Sequence, residues 1–521
     1  MSSPKGEFVS LVTENAADSR RNPGHALTGV VSWFSIALAI VGSVLFPRVW
    51  MIIATIFLIY FILKLCVTTV FALIGQRKVH EWEKRDWTEG EDVIGAFGFA
   101  PSDVRHVVIV PTYKEPAEII HRTVDALAAQ HRSGERIVVV LGMEEREENA
   151  RAKADAIIEK YAGRFLHMMA TIHPGNIPGE EAGKSSNEAW AARQARAEID
   201  QLGIDMSLTT VTSCDADSVL HPAYFSAVSA SFAREERRHL SFWQAPIFFY
   251  NNIWQVPAPV RFTTWMQHAA QLSELAMPWF DSLPISTYTL SFELCERCGY
   301  WDPAIIPEDW HAYLNCLFET GDEIAVHSVF LPTLGDATDG EGMFDAVKNR
   351  FEQLKRHSWG AEDVGYIWGQ LTERKHAWRS STVFRFTQVL HDHSTRVVNW
   401  VVLTSTYLLS AYFSQLHWYD PGWRSSIAQN LMILNVLFTM GTLIMLTSIL
   451  LELWRCPPPD SKSRFGAAIE IMLLWLLLPI LGLVLGMLPA LSAQTRLMLG
   501  IPLGYKVTPK RFAEPVPQKA A

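Results

Sequence analysis

Two long apolar runs near the start of the chain constrain its fold more than any other feature. Residues 26–46 hold 21 positions without a charge, and residues 49–75 carry one charge, Lys64. Each run is long enough to cross the roughly 30 Å of a bilayer's hydrocarbon as a helix. A cleaved signal peptide fits poorly, because the first run is too long, starts late and is followed at once by the second. Lys5, Arg20 and Arg21 precede the pair, Arg77, Lys78, Lys84 and Arg85 follow it, and only Arg48 lies between. The positive-inside rule therefore predicts a transmembrane hairpin over 26–75 behind a cytoplasmic tail, residues 1–25. Lys64, an ionisable group within a span, is a candidate functional residue, although it could equally snorkel or pair with a neighbouring helix.

From about 85 to 390 the character changes, and no apolar window reaches spanning length. Val104–Val110, Arg136–Leu141 and Leu208–Cys214 read as strands; Pro116–Gln130, Glu144–Tyr161 and Ser185–Ile199 read as helices. Strands alternating with helices predict an α/β domain with a mostly parallel sheet, which places ligands at the carboxyl ends of its strands. Apolar runs return at 397–419, 428–451 and 467–493, defining a second membrane region over 397–493. Lys506, Lys510, Arg511 and Lys519 in the tail, residues 494–521, favour the cytoplasm. Either the run 467–493, broken by Pro479 and Pro489, is then re-entrant or interfacial, or one of the candidate runs does not span. With 521 residues, 49 % hydrophobic and 19 % charged, the chain is too apolar to be disordered. Its net charge of −9 argues against a nucleic-acid binder. Six cysteines are too few for a disulfide framework, and Cys295 and Cys298 form a lone C-x-x-C with no second pair at zinc-ribbon distance.

The chemistry is expected just after the strands. Val110-Pro111-Thr112-Tyr113-Lys114-Glu115 is a short polar turn between a buried strand and a helix. The second strand ends at Glu144 and Glu145, in an E-E-R-E-E run that reads as the solvated start of a helix. Gly183-Lys184-Ser185-Ser186-Asn187 puts a lysine at a helix N-terminus, an anion site in principle, without the full P-loop spacing. Asp215-Ala216-Asp217 closes a buried β-run with two acids one residue apart. This pattern suits one hard cation, Mg²⁺ or Mn²⁺, that also holds a substrate diphosphate; an Asx-turn before the next helix is the plainer alternative. Glu308 and Asp309 open a helix, as caps or as a general base. Gln353, Arg356, His357 and Trp359 place an amide, a guanidinium, an imidazole and an indole on adjacent helical turns; the guanidinium suits a diphosphate and the indole a sugar ring.

In this order — P-T-Y-K-E, G-K-x-x-N, D-A-D, E-D, Q-x-x-R — the set resembles the membrane-embedded family 2 glycosyltransferases, the cellulose, chitin and hyaluronan synthases. The resemblance covers roughly 105–365, and the flanking spans match that architecture. It implies a GT-A type nucleotide-binding domain inserted between transmembrane helices, at the cytoplasmic face of a plasma or inner membrane. It further implies an inverting, metal-dependent transfer from a nucleotide sugar, UDP-linked by family expectation, to a carbohydrate or lipid acceptor. By similarity Thr112, Tyr113 and Glu115 line the nucleoside pocket, and Lys184 and Asn187 contact the donor nucleotide. Asp215 and Asp217 hold the metal and diphosphate, Asp309 is the base beside Glu308, and Gln353 and Arg356 grip the diphosphate or acceptor. Tyr505-Lys506-Val507-Thr508-Pro509-Lys510 is similar to the F-x-V-T-x-K gating loop of bacterial cellulose synthases, so Thr508 and Lys510 are expected to cover bound nucleotide. Two departures stand out. Glu144 occupies the region where the family often carries an Asp that meets the base. The family's Q-x-x-R-W becomes Q-x-x-R-H, with His357 where an acceptor-stacking tryptophan is expected and Trp359 two positions late.

Other readings are a non-processive enzyme that adds one sugar to a lipid or polyprenyl phosphate, a transporter using Lys64, and a catalytically inactive membrane scaffold. Of the 19 tryptophans, Trp243, Trp254, Trp301, Trp310 and Trp359 lie in the soluble part and are expected mostly to pack the core.

Overall fold

The computed structural model describes residues 22–504, apart from 281, 322, 375–376, 406–420, 458–464, 467–468, 471–472 and 474–476. The runs 397–419 and 467–493 lie partly outside those residues, and so does the tail, whose residues 505–521, with Thr508 and Lys510, fall outside them.

The apolar runs form helix α1 (Gly24–Leu45) and helix α2 (Pro47–Glu83). At 37 residues, α2 is about 55 Å long, well beyond a bilayer's hydrocarbon, so it must also run along the rest of the protein. Among the described residues three helices are long and apolar enough to cross a membrane: Gly24–Leu45, Val49–Glu83 and Met432–Arg455.

Between them stands a seven-stranded sheet of order β3-β2-β1-β4-β7-β5-β8. Its strands are β1 (Arg105–Pro111), β2 (Ile137–Glu144), β3 (His167–His173), β4 (Thr209–Ser213), β5 (Ser241–Gln244), β7 (Tyr288–Ser291) and β8 (Ala325–Ser328). A separate two-stranded ribbon pairs β6 (Ile247–Phe248) with β9 (Thr333–Leu334). In β1 and β2 the β-branched runs are buried on both faces, as a central parallel strand requires. All pairings in the large sheet are parallel except those of β7, which runs antiparallel to both β4 and β5. The strands cross-connect through helices α3 (Ala117–Ala128), α4 (Ala150–Lys160), α5 (Lys184–Gln201) and α6 (Tyr224–Phe232).

The E-E-R-E-E run departs from expectation in two ways. Expected helix Glu144–Tyr161 begins only at Ala150, because β2 continues to Glu144. Neither Glu144 nor Glu147 is solvated: both are buried, and each is ion-paired. None of the six cysteines is in a disulfide, and Cys295 and Cys298 are buried in the core with Cys316.

After β6 the chain forms α7 (Ala258–Ala276), and after β7 α8 (Glu308–Thr320). Past β9 come α9 (Met343–Trp359), α10 (Glu362–Glu373), α11 (Ser380–Thr404), α12 (Pro421–Arg455) and α13 (Leu488–Met498). Helix α7 lies against α2, and Gly75 permits the contact: a Cβ there would stand 2.7 Å from Leu272 Cγ. Buried Glu452 of α12 accepts a hydrogen bond from Tyr250 Oη at 2.7 Å and pairs with Arg455 at 2.7 Å, tying this span to the sheet domain.

Candidate active site

The order of the sheet sets the place of the site. From β1 the chain winds outward to β2 and β3, then returns to place β4 on the other side of β1. Ligands of such sheets bind in the crevice where the strand order reverses. There the turns after β1 and β4 line one cavity of ≈ 1070 Å³. Every described candidate residue lines it except Trp359.

In the turn after β1, Glu115 Oε2 accepts from Thr112 Oγ1 at 3.0 Å and from the Tyr113 amide at 2.5 Å. Lys114 takes a left-handed φ of 65°, with its amide donating to Glu147 at 2.7 Å. The turn is thus held by carboxylates, with the Tyr113 ring facing the cavity under the Arg146 guanidinium, 4.8 Å away. Glu144 pairs with Arg146 at 2.8 Å and with His173 at 3.4 Å, while Glu180 meets the other His173 nitrogen at 2.8 Å. Burial would lower the His173 pKa, but Glu144 and Glu180 push it up to about 9. Asn187 donates from Nδ2 to the Gly142 carbonyl at 2.7 Å. Gly142 is needed there, since a Cβ would lie 2.7 Å from Asn187 Oδ1.

The centre of the site is Lys184, the first residue of α5. Its Nζ stands 2.8 Å from Asp215 Oδ1, 2.7 Å from Glu308 Oε1 and 3.8 Å from Glu188 Oε1, and donates to the Ser286 carbonyl at 2.7 Å. Burial opposes its charge, yet the three carboxylates hold the ammonium well above its ordinary value. Burial, with Glu308 adding to it, holds the Glu188 carboxyl well above the usual range. Ser286, at φ 58°, connects the rest: Oγ donates to Asp215 Oδ2 at 2.5 Å and its amide donates to Asp309 Oδ2 at 3.3 Å. Asp309 Oδ1 also accepts from the Trp310 amide at 3.0 Å. Burial and the neighbouring Glu308 push the Asp309 carboxyl up to about 7, where a carboxylate can exchange a proton at neutral pH. Motif reading did not find Ser286 or Glu188.

Asp217 is buried and accepts from the Asp336 amide at 3.0 Å. Gln353, Arg356 and His357 reach the cavity from α9, and His357 is exposed to it. Trp359 is a correction: its indole is buried, donates to Glu362 at 3.0 Å and packs with Ala493 and Leu497 of α13. Among the soluble-part tryptophans it is Trp310, adjacent to Asp309, that lines the cavity; Trp243 and Trp301 are buried in the core. The candidate span α2 forms part of the same wall, through Tyr60, Leu63, Lys64, Val67 and Thr68, as does Trp400 of α11.

No family model matches the sequence, and no curated protein matches it. Among solved structures, the fold is similar to a mannosyltransferase from Pyrobaculum calidifontis in complex with GDP-Man and Mn²⁺, at 16 % identity and TM-score 0.39, covering 77 % of this chain and 100 % of that one. It is also similar to S. aureus TarS 1–349 in complex with UDP-GlcNAc, at 13 % identity and TM-score 0.29, covering 58 % and 84 %. A third is GalNAc-T7 with UDP, GalNAc and Mn²⁺, at 9 % identity and TM-score 0.32, covering 55 % of each chain. Likenesses at such TM-scores carry no argument about function, and the geometry of the site has to supply it.

Proposed function

We propose that this chain is an inverting, metal-dependent glycosyltransferase that moves a sugar from a nucleotide-sugar donor, UDP-linked in our reading, to a polysaccharide or lipid acceptor at the cytoplasmic membrane face. The observation that carries the reading is the Lys184–Asp215–Glu308–Asp309 cluster joined by Ser286, in a cavity whose wall includes a candidate span. In this reading the turn after β1 and Asn187 hold the nucleoside, with Glu144 beside them. Asp309 removes the proton of an acceptor hydroxyl as its oxygen attacks the anomeric carbon. The bond to the diphosphate breaks with its electron pair leaving on the diphosphate, and the anomeric centre inverts. Lys184 is engaged by protein carboxylates, so its role is to hold Asp215 and Glu308 in place; Gln353 and Arg356 face the diphosphate.

The donor set fits Mg²⁺ or Mn²⁺. Asp215 and Asp217 both line the cavity, and such an ion needs only one or two carboxylates when substrate phosphates complete its shell. No group of three metal-ligating side chains stands among the described residues. When bound, the ion would neutralise charge on the leaving diphosphate.

The test is donor turnover by detergent-purified protein with a panel of UDP- and GDP-sugars and Mn²⁺ or Mg²⁺. Metal-dependent release of nucleoside diphosphate, lost in Asp217→Asn, is expected; no release and no nucleotide binding across the panel would return the chain to the inactive-scaffold reading. The size of a labelled product separates a polymer synthase from an enzyme that adds one sugar to a lipid.

A further inference from the structure

Arg350 is almost fully buried, at 2 % exposure, yet its hydrogen-bond partners are all neutral. Its Nε donates to Thr263 Oγ1 at 3.1 Å, Nη1 to Gln353 Oε1 at 2.6 Å and Nη2 to Gln267 Oε1 at 2.6 Å. Among the described residues no carboxylate pairs with it. A guanidinium only donates, so both glutamines must turn their oxygens towards it, and each side-chain amide nitrogen must point away. Thr338 Oγ1 donates to the same Gln353 oxygen at 2.5 Å, which occupies its second acceptor site. Gln353 on α9 and Gln267 on α7 both line the cavity, and neither amide nitrogen has a protein partner among the described residues. Thr338 lies two residues beyond Asp336, whose amide holds Asp217 at 3.0 Å, so this wall adjoins the D-x-D acids. Burial brings the Arg350 pKa down to about 10, still charged at neutral pH, and its field reaches His268 and His357 on the cavity wall.

We infer that Arg350 is a positioning residue that fixes Gln267 and Gln353 as a pair of N–H donors for the diphosphate oxygens of the donor, making Gln267 a donor-binding residue. The inference rests on the glycosyltransferase reading. The two amides are polarised by a cation that no carboxylate among the described residues pairs with, so they favour an anionic, oxygen-bearing ligand group over a neutral one.

Gln267→Glu separates this role from a structural one. A glutamate there forms an ion pair with Arg350 but removes both the N–H donor and the surplus positive charge. The expected result is an unchanged or higher unfolding temperature, with the dissociation constant for UDP or GDP in Mn²⁺ and the donor KM both raised about tenfold. The acceptor KM should stay as it was. Gln267→Leu, which removes the donor and adds no charge, should weaken nucleotide binding by a similar factor. Nucleotide binding at the native level in either variant overturns the clamp. Wild-type protein that binds neither nucleotide and turns over no donor overturns the glycosyltransferase reading instead.

Discussion

Two buried cations stand in opposite company, Lys184 lining the cavity and Arg350 behind the Gln267 and Gln353 that line it. Lys184 sits among three carboxylates, with Asp215 and Glu308 inside 3 Å. Arg350, more deeply buried, meets hydroxyl and amide oxygens and, among the described residues, no carboxylate. A buried charge has to be matched by something. Around Lys184 the protein supplies more than enough negative charge, and burial, with Glu308 adding to it, raises the Glu188 and Asp309 carboxyls. Around Arg350 no carboxylate pairs with the guanidinium among the described residues, and in the inference above the match comes from a ligand. The cavity is therefore polarised: one wall is poised to accept protons and cations, and the other to receive an anion. In a transfer that deprotonates an acceptor and releases a diphosphate, those walls face opposite ends of the reaction.

The largest expected effect comes from the proton-accepting wall. Asp309→Asn should lower transfer roughly a hundred- to ten-thousand-fold while leaving nucleotide binding intact, measured as turnover against nucleotide titration. With Asp309 as the base, wild-type kcat/KM should rise with pH through about 7 and then level. Stability moves the other way. The raised carboxyl contributes stability that is fully present below its ordinary value near 3.8 and is lost as pH rises through about 7. Asp309→Asn should therefore unfold at a higher temperature than wild type at pH 8; an equal or lower value would remove Asp309 as the strained group.

Lys184→Met tests the matched cation. Leaving Asp215, Glu308 and Glu188 without it should cost about 3–5 kcal/mol, read by thermal unfolding in detergent. The loss should shrink as pH falls, because the abandoned carboxylates take up protons. Arg350→Met leaves only neutral oxygens behind and should cost less, about 1–3 kcal/mol; a loss as large as that of Lys184→Met would contradict the contrast between the two sites. The smallest effect is expected from Trp359→Phe, which removes one hydrogen bond outside the cavity. It should cost about 1 kcal/mol and leave the acceptor KM unchanged, whereas a stacking role would raise it.

What could be read from sequence was whatever is local. The β-branched runs of β1, β2 and β4 are buried on both faces, so their composition alone marks them, and the polar turns after them are where the cavity opens. The four-residue strands β5, β7 and β8 carry too little pattern to be found, and the antiparallel setting of β7 depends on pairings remote in sequence. Ser286 was illegible for the same reason: its importance lies in a left-handed turn that brings β7 under Asp215 and Asp309, and a serine beside a threonine advertises nothing. Glu188 left a trace, since it follows Lys184 by four residues on one helix face. Arg350 left one too, three residues before Gln353. Trp359 misled because a tryptophan near a sugar motif invites a stacking role, whereas the bend between α9 and α10 turns its indole onto α13.

Helix α2 carries a consequence beyond the chemistry. Tyr60, Leu63, Lys64, Val67 and Thr68 recur at three and four residues along one face and close one side of the cavity. A span's tilt responds to the thickness of the surrounding hydrocarbon. In the proposed reading the candidate span is itself a wall of the chamber, and Gly75 sets it directly against α7, the helix that carries Gln267. A bilayer around α2 would then act as a mechanical load on the reaction vessel, and the lipid composition of a reconstituted vesicle would be a variable of the reaction in the way that temperature or pH is.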